Sequence, residues 1–248
     1  MKTFAQKNWP DEDKEAVAYQ LNFVSMCYGY SHDGHENYFK ECCEMCKTLS
    51  VHYKDFEFPK ANMKKPYMQL DSYFYAVSEE LKNAIIEFGI DDIEKDVFRP
   101  IWTREHDKPI GFSIEPKHIL KPIFKENNYE LETICPNCNV IQAFIRDDDL
   151  TGRKDYNGMG RPLYISKDVL EDFHDFNYTC EFFGPGGYLL REVIVSKRIY
   201  DFIINLYPRA EFRPVLIKKE LVETEEMKQK RLREQRLRKW RATLNTVK

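Results

Sequence analysis

Residues 193–206 read Val-Ile-Val-Ser-Lys-Arg-Ile-Tyr-Asp-Phe-Ile-Ile-Asn-Leu, and the chain runs on to Phe212-Arg-Pro-Val-Leu-Ile217. A short β-prone stretch leads into Ser196. From that serine, apolar residues recur at offsets 3, 7 and 10, as Ile199, Ile203 and Leu206. Steps of 4 and 3 put all three on one face of a helix. Ser196 then falls at the N-cap, where a hydroxyl oxygen accepts an N–H that the first turn leaves without a partner. The same pattern occurs over 73–88, with Leu81, Ile85 and Phe88 after Ser78, and over 163–176, with Val169, Phe173 and Phe176 after Ser166. Gly89 stands where a helix C-terminus takes a left-handed residue. No base stands beside any of these serines, so they read as caps and not as nucleophiles. The first unit continues into Phe98-Arg-Pro-Ile-Trp102, matching Phe212-Arg-Pro-Val. That motif predicts a strand with proline at its edge. Phe98 and Phe212 should point inward, and Arg99 and Arg213 outward. The expected fold is therefore α+β, built from duplicated strand–Ser–helix–strand modules.

The seven cysteines are Cys27, Cys42, Cys43, Cys46, Cys135, Cys138 and Cys180. Their number is odd and the N-terminus has no apolar signal core. A disulfide framework is therefore not expected, and the chain reads as cytoplasmic. Four cysteines form two C-x-x-C doublets, Cys43/Cys46 and Cys135/Cys138. Two thiolates spaced this way grip one tetrahedral ion from a tight turn, and two such turns close a four-cysteine site. Pro136 and Asn137 favour that turn. In the first doublet Cys42 competes with Cys43 for the ligand role. A closed set of four sulfurs leaves no open coordination position, so the expected Zn2+ is structural. Cys27 and Cys180 lack a partner at metal spacing and read as buried thiols. The long interval between Cys46 and Cys135 requires a module between the two knuckles.

Hydrophobic residues make up 42% of the chain and aromatics 14%, enough for a substantial core. No stretch is apolar over about 18 residues, so no membrane span is expected. The formal net charge of −3 hides a split. Residues 228–248 carry nine Lys and Arg against one acid, a net +8, which leaves −11 for residues 1–227. An acidic body does not suit a main surface that coats phosphate, and it does suit a basic partner. The expected divisions are an N-terminal segment (1–37), a zinc-tied core (38–217) and a charged, basic helical tail (218–248). Within the first division, Asp11 to Leu21 could form a helix, while Ala18 to Cys27 alternates like a strand.

Phosphate-cradle, nucleophile-elbow and His-Glu-x-x-His motifs are absent from the sequence. His32 and His35 read as loop residues, with the capacity to replace a cysteine ligand. Asp147, Asp148 and Asp149 read as a solvated acidic loop. No nucleophile, base and orienting group come together, which points away from an enzyme.

Two C-x-x-C knuckles, each ahead of a β–Val-Ser–helix–Phe-Arg-Pro module, resemble the double-CxxCG-motif family of bacterial proteins. The residues carrying the resemblance are Cys43/Cys46, Val77-Ser78, Phe98-Arg99-Pro100, Cys135/Cys138, Val195-Ser196 and Phe212-Arg213-Pro214, within 38–217. Lys47 and Asn139 replace the glycine that follows each knuckle, and Asn tolerates a left-handed turn. The resemblance implies an immunity protein of a polymorphic toxin system, which binds and neutralises a cognate toxin. A basic toxin would suit the acidic body. A second reading is a nucleic-acid-binding zinc-knuckle protein using the basic stretch 228–248, with Trp240 for stacking.

Overall fold

A computed structural model of the chain describes residues 2–22, 26–27, 45, 57–58, 63, 65–70, 74–90, 92–103, 106–123, 129–137, 139–146, 154–155, 162–182 and 191–218. The chain divides by contacts into a unit of residues Met1–Lys218 and a second of Lys219–Lys248. The basic stretch belongs to the second unit and lies outside the described residues. No described helix is long and apolar enough to cross a membrane.

The fold is mixed α+β. In chain order the described elements begin with α1 (Phe4–Asn8), α2 (Glu12–Glu15), β1 (Ala18–Leu21), β2 (Met26–Cys27), β3 (Glu57–Phe58), β4 (Tyr67–Leu70) and β5 (Phe74–Val77). There follow α3 (Glu79–Phe88), a 3-10 helix (Asp92–Val97), β6 (Phe98–Thr103), β7 (His106–Ile114) and β8 (His118–Ile119). A hairpin of β9 (Tyr129–Ile134) and β10 (Ile141–Arg146) precedes β11 (Lys154–Asp155) and β12 (Leu163–Ile165). The unit ends with a second 3-10 helix (Lys167–Asp172), β13 (Phe176–Tyr178), β14 (Val193–Ser196), α4 (Lys197–Leu206) and β15 (Phe212–Ile217). The strand reading wins at 18–21, and the helix is confined to 12–15.

Two of the serines cap as expected. Leu81 N–H donates to Ser78 Oγ at 3.2 Å, and Ile199 N–H donates to Ser196 Oγ at 3.3 Å. Gly89 closes α3 with φ 95°, its N–H donating to the Ile86 carbonyl. The third unit differs. After Ser166 the chain makes a 3-10 helix that stops at Asp172, and Phe176 lies in β13. The Ser166 hydroxyl donates to the Asp168 carboxylate, and no backbone N–H of the first turn reaches its side chain. The outer apolar position of each α-helix is also not core. Phe88 and Leu206 are exposed, while Leu81, Ile85, Ile199 and Ile203 are buried. Phe88 instead stacks on Phe202, with ring centroids 4.3 Å apart.

Among the described residues, one six-stranded sheet has the order β12-β15-β1-β14-β13-β8 and the other β2-β4-β5-β7-β6-β3. The first contains the α4 unit and the second the α3 unit. Read from β8 and from β2, both run parallel, antiparallel, antiparallel, antiparallel, parallel. The registers also correspond. Val77 stands opposite Phe112, and Val195 opposite Tyr19. Phe98 faces Ile114 and Phe212 faces Leu21, while Pro100 faces Phe112 and Pro214 faces Tyr19. Both Phe-Arg-Pro strands have neighbours on each side. Their parallel neighbours, however, pair only from Trp102 and Val215 onward, beyond each proline. Among the described residues neither proline is paired with its strand's parallel neighbour, which suits a residue that has no N–H to donate.

One core is shared by α3, α4 and one face of each sheet, including Val77, Phe98, Ile114, Tyr19, Val195 and Phe212. A second core covers the opposite face of the first sheet, where Leu120, Ile123 and Val169 meet Ala18, Ile194 and Val215. Phe98 and Phe212 do point inward. The arginines do not simply face solvent. Arg213 is 5% exposed, because its face of the sheet carries that second core. Arg99 is half-buried and its Nε lies 2.7 Å from the buried Glu115 carboxylate. Burial raises the Glu115 pKa, and Arg99 and the Ser113 hydroxyl oppose that shift.

Candidate metal sites

Of the four cysteines expected to hold zinc, Cys135 is described with its side chain. Cys43, Cys46 and Cys138, with Cys42, lie outside the described residues, as do His32, His35 and Asp147–Asp149. Cys135 is buried, and it opens the turn between β9 and β10. Asn139 N–H donates to the Cys135 carbonyl at 2.8 Å, and Cys135 N–H donates to the Val140 carbonyl at 3.0 Å. Asn139 has φ 57°, the left-handed conformation that glycine adopts most freely. This tight turn is the backbone a C-x-x-C doublet needs to aim two sulfurs at one ion. Phe182 N–H donates to the Ile141 carbonyl at 2.9 Å, which ties the turn end of the hairpin to the stretch after β13. Cys27 has no described side chain. Cys180 is half-buried, not fully buried as expected. Burial, then Glu181, pushes its thiol pKa up, and Arg191 opposes them. A protonated thiol is a poor nucleophile.

The structure brings together a second set of donors that the sequence reading missed. His118 in β8, Asp172 at the end of the second 3-10 helix and His174 just after it offer one donor atom each, all within 4.8 Å of one another. His118 Nε2 lies 3.8 Å from Asp172 Oδ2, and His174 Nε2 lies 3.7 Å from Asp172 Oδ1. The carboxylate therefore straddles both imidazoles. The two rings are 4.3 Å apart between centroids and tilted by 31°. Their side chains are 17% and 32% exposed, against 80% for Asp172, so the group opens to solvent on the carboxylate side. Burial lowers the His118 pKa, as does neighbouring His174, and Asp172 opposes the shift.

Local structure holds the three in place. His118 pairs with Asn177 across β8 and β13. The Asn177 side chain accepts from His174 N–H at 3.1 Å and donates to the His174 carbonyl at 2.7 Å, fixing the turn that carries His174. At the other end of the 3-10 helix, Lys121 Nζ lies 3.1 Å from Asp168 Oδ2. The helix is thus fastened to the β8 segment near both its ends. The only sequence signal was the pair Asp172 and His174 two residues apart. His118 stands far from them along the chain, and no spacing rule links it.

No protein-family model matches the chain, and neither a curated protein nor a solved structure matches it.

Proposed function

We propose that this chain is a zinc-stabilised immunity protein that binds and neutralises a cognate bacterial toxin. The supporting observation is where the two cysteine doublets fall relative to the matched strands. Equating the two sheets residue by residue makes β1 the counterpart of β7, β2 of β8, β3 of β12, β4 of β13, β5 of β14 and β6 of β15. The interval between β2 and β3 holds Cys43/Cys46, and the interval between β8 and β12 holds Cys135/Cys138. In this reading each doublet falls in the corresponding interval of a repeated unit. That supports a duplicated architecture and strengthens the resemblance to a family with two such motifs. In this reading the halves exchange their first strands. β1 completes the sheet of the second half between β14 and β15, and β7 completes that of the first between β5 and β6.

Zn2+ would be held by Cys135 and Cys138 from one half and by Cys43 (or its neighbour Cys42) and Cys46 from the other. Four thiolates give a closed, structural site that ties the two insertions. The surface that meets the toxin would be the acidic body, where complementary charge speeds association with a basic partner. The test is co-expression with the product of the neighbouring toxin gene. The chain should restore growth and co-purify with that product in a salt-sensitive complex. Failure both to bind and to protect would overturn the reading.

A further inference from the structure

We propose that His118, Asp172 and His174 form a second metal site, distinct from the cysteines, that binds Zn2+ through two imidazoles and one carboxylate with a coordination position open to solvent. Zinc–nitrogen and zinc–oxygen bonds of about 2.1 Å at tetrahedral angles set donors about 3.4 Å apart. The imidazole–carboxylate separations are 3.8 Å to one Asp172 oxygen and 3.7 Å to the other, and one donor from each residue lies within 4.8 Å of the other two. Rotation of the exposed Asp172 side chain together with small shifts of the two imidazoles closes the set around one ion. Ligand type narrows the ion. Two imidazoles with one carboxylate suit zinc and its first-row neighbours, whereas Ca2+ and Mg2+ prefer oxygen throughout.

The surroundings agree. The Asn177 clasp on His174 fixes the backbone of one ligand, and the Lys121–Asp168 contact holds the short helix that presents another. These contacts set the ligands before an ion arrives, which lowers the ordering cost of binding. Three protein ligands leave one tetrahedral position unfilled. It faces solvent on the side of Asp172, the most exposed of the three.

The experiment uses untagged full-length protein under reducing conditions, with Zn2+ and Co2+ as probes. Wild-type protein should take up one cobalt that gives only weak visible bands of nitrogen and oxygen ligation, beyond any thiolate charge-transfer absorption from the cysteines. Asp172→Asn, a change at an exposed side chain, should weaken binding at this site by at least about tenfold. His174→Ala should abolish it. In both variants the thiolate absorption should stay unchanged, which separates this site from the cysteine site. Zn2+ should also shift the His118 and His174 imidazole NMR signals in wild-type protein. Metal uptake that is the same in wild type, Asp172→Asn and His174→Ala would overturn the proposal, as would imidazole signals that Zn2+ does not move.

Discussion

At the scale of single residues, three serines in matching sequence contexts have different partners. Ser78 and Ser196 accept backbone N–H groups of their helices, and Ser166 donates to Asp168. Replacement by alanine should therefore cost about 1 kcal/mol at Ser78 and at Ser196, as for other N-caps. Ser166→Ala should cost about half a kcal/mol or less, because no backbone group of the helix loses a partner. Urea unfolding of the three variants checks this. Equal losses at all three would contradict the assignment. The caps were legible because an N-cap and its apolar offsets are local in sequence. Ser166 misled for a physical reason: the acid two residues on captured its hydroxyl, and the chain took the tighter helix. The left-handed turn at Asn139 was legible too, since the residue type itself tolerates that conformation.

At the scale of elements, α3 and α4 are joined through one charged group. The buried Asp175 carboxylate accepts from the Ser196 hydroxyl at 2.6 Å and from Arg198 Nε at 2.8 Å. Arg198 Nη2 also donates to the Gly89 carbonyl at 2.9 Å, at the C-terminus of α3. A cation there suits the negative end of the helix dipole. Asp175 thus links the N-cap of α4 to the end of α3. Asp175→Ala should cost about 1–3 kcal/mol, discounted because Arg198 is 47% exposed and can return to water. Denaturant unfolding with an unchanged slope is the check. A loss under about 0.5 kcal/mol would show that the link contributes little. Element identity was largely readable from the sequence here, but pairing was not. Arg213 shows why: the alternation of Phe212, Arg213 and Pro214 gives two faces, and only the tertiary fold decides that both are covered. His118, Asp172 and His174 show the same limit, since their meeting depends on β8 lying beside β13.

At the scale of the whole molecule, the matched registers give the chain its organisation. One six-stranded sheet is built from the continuous run β2 to β7, whereas the other takes its central strand β1 from the N-terminus. α3, α4 and the facing sheet surfaces share a single core. In the proposed architecture the two cysteine doublets add a further link between the halves. The tie between the halves is the central claim, and X-ray absorption at the zinc edge tests it most directly. The measurement is best made on protein carrying Asp172→Asn, so that zinc outside the cysteines is minimised. The account predicts one zinc per chain surrounded by four sulfurs at about 2.3 Å, lost together with stability in Cys135→Ser. A shell of nitrogen and oxygen, or a stable protein without zinc, would contradict it.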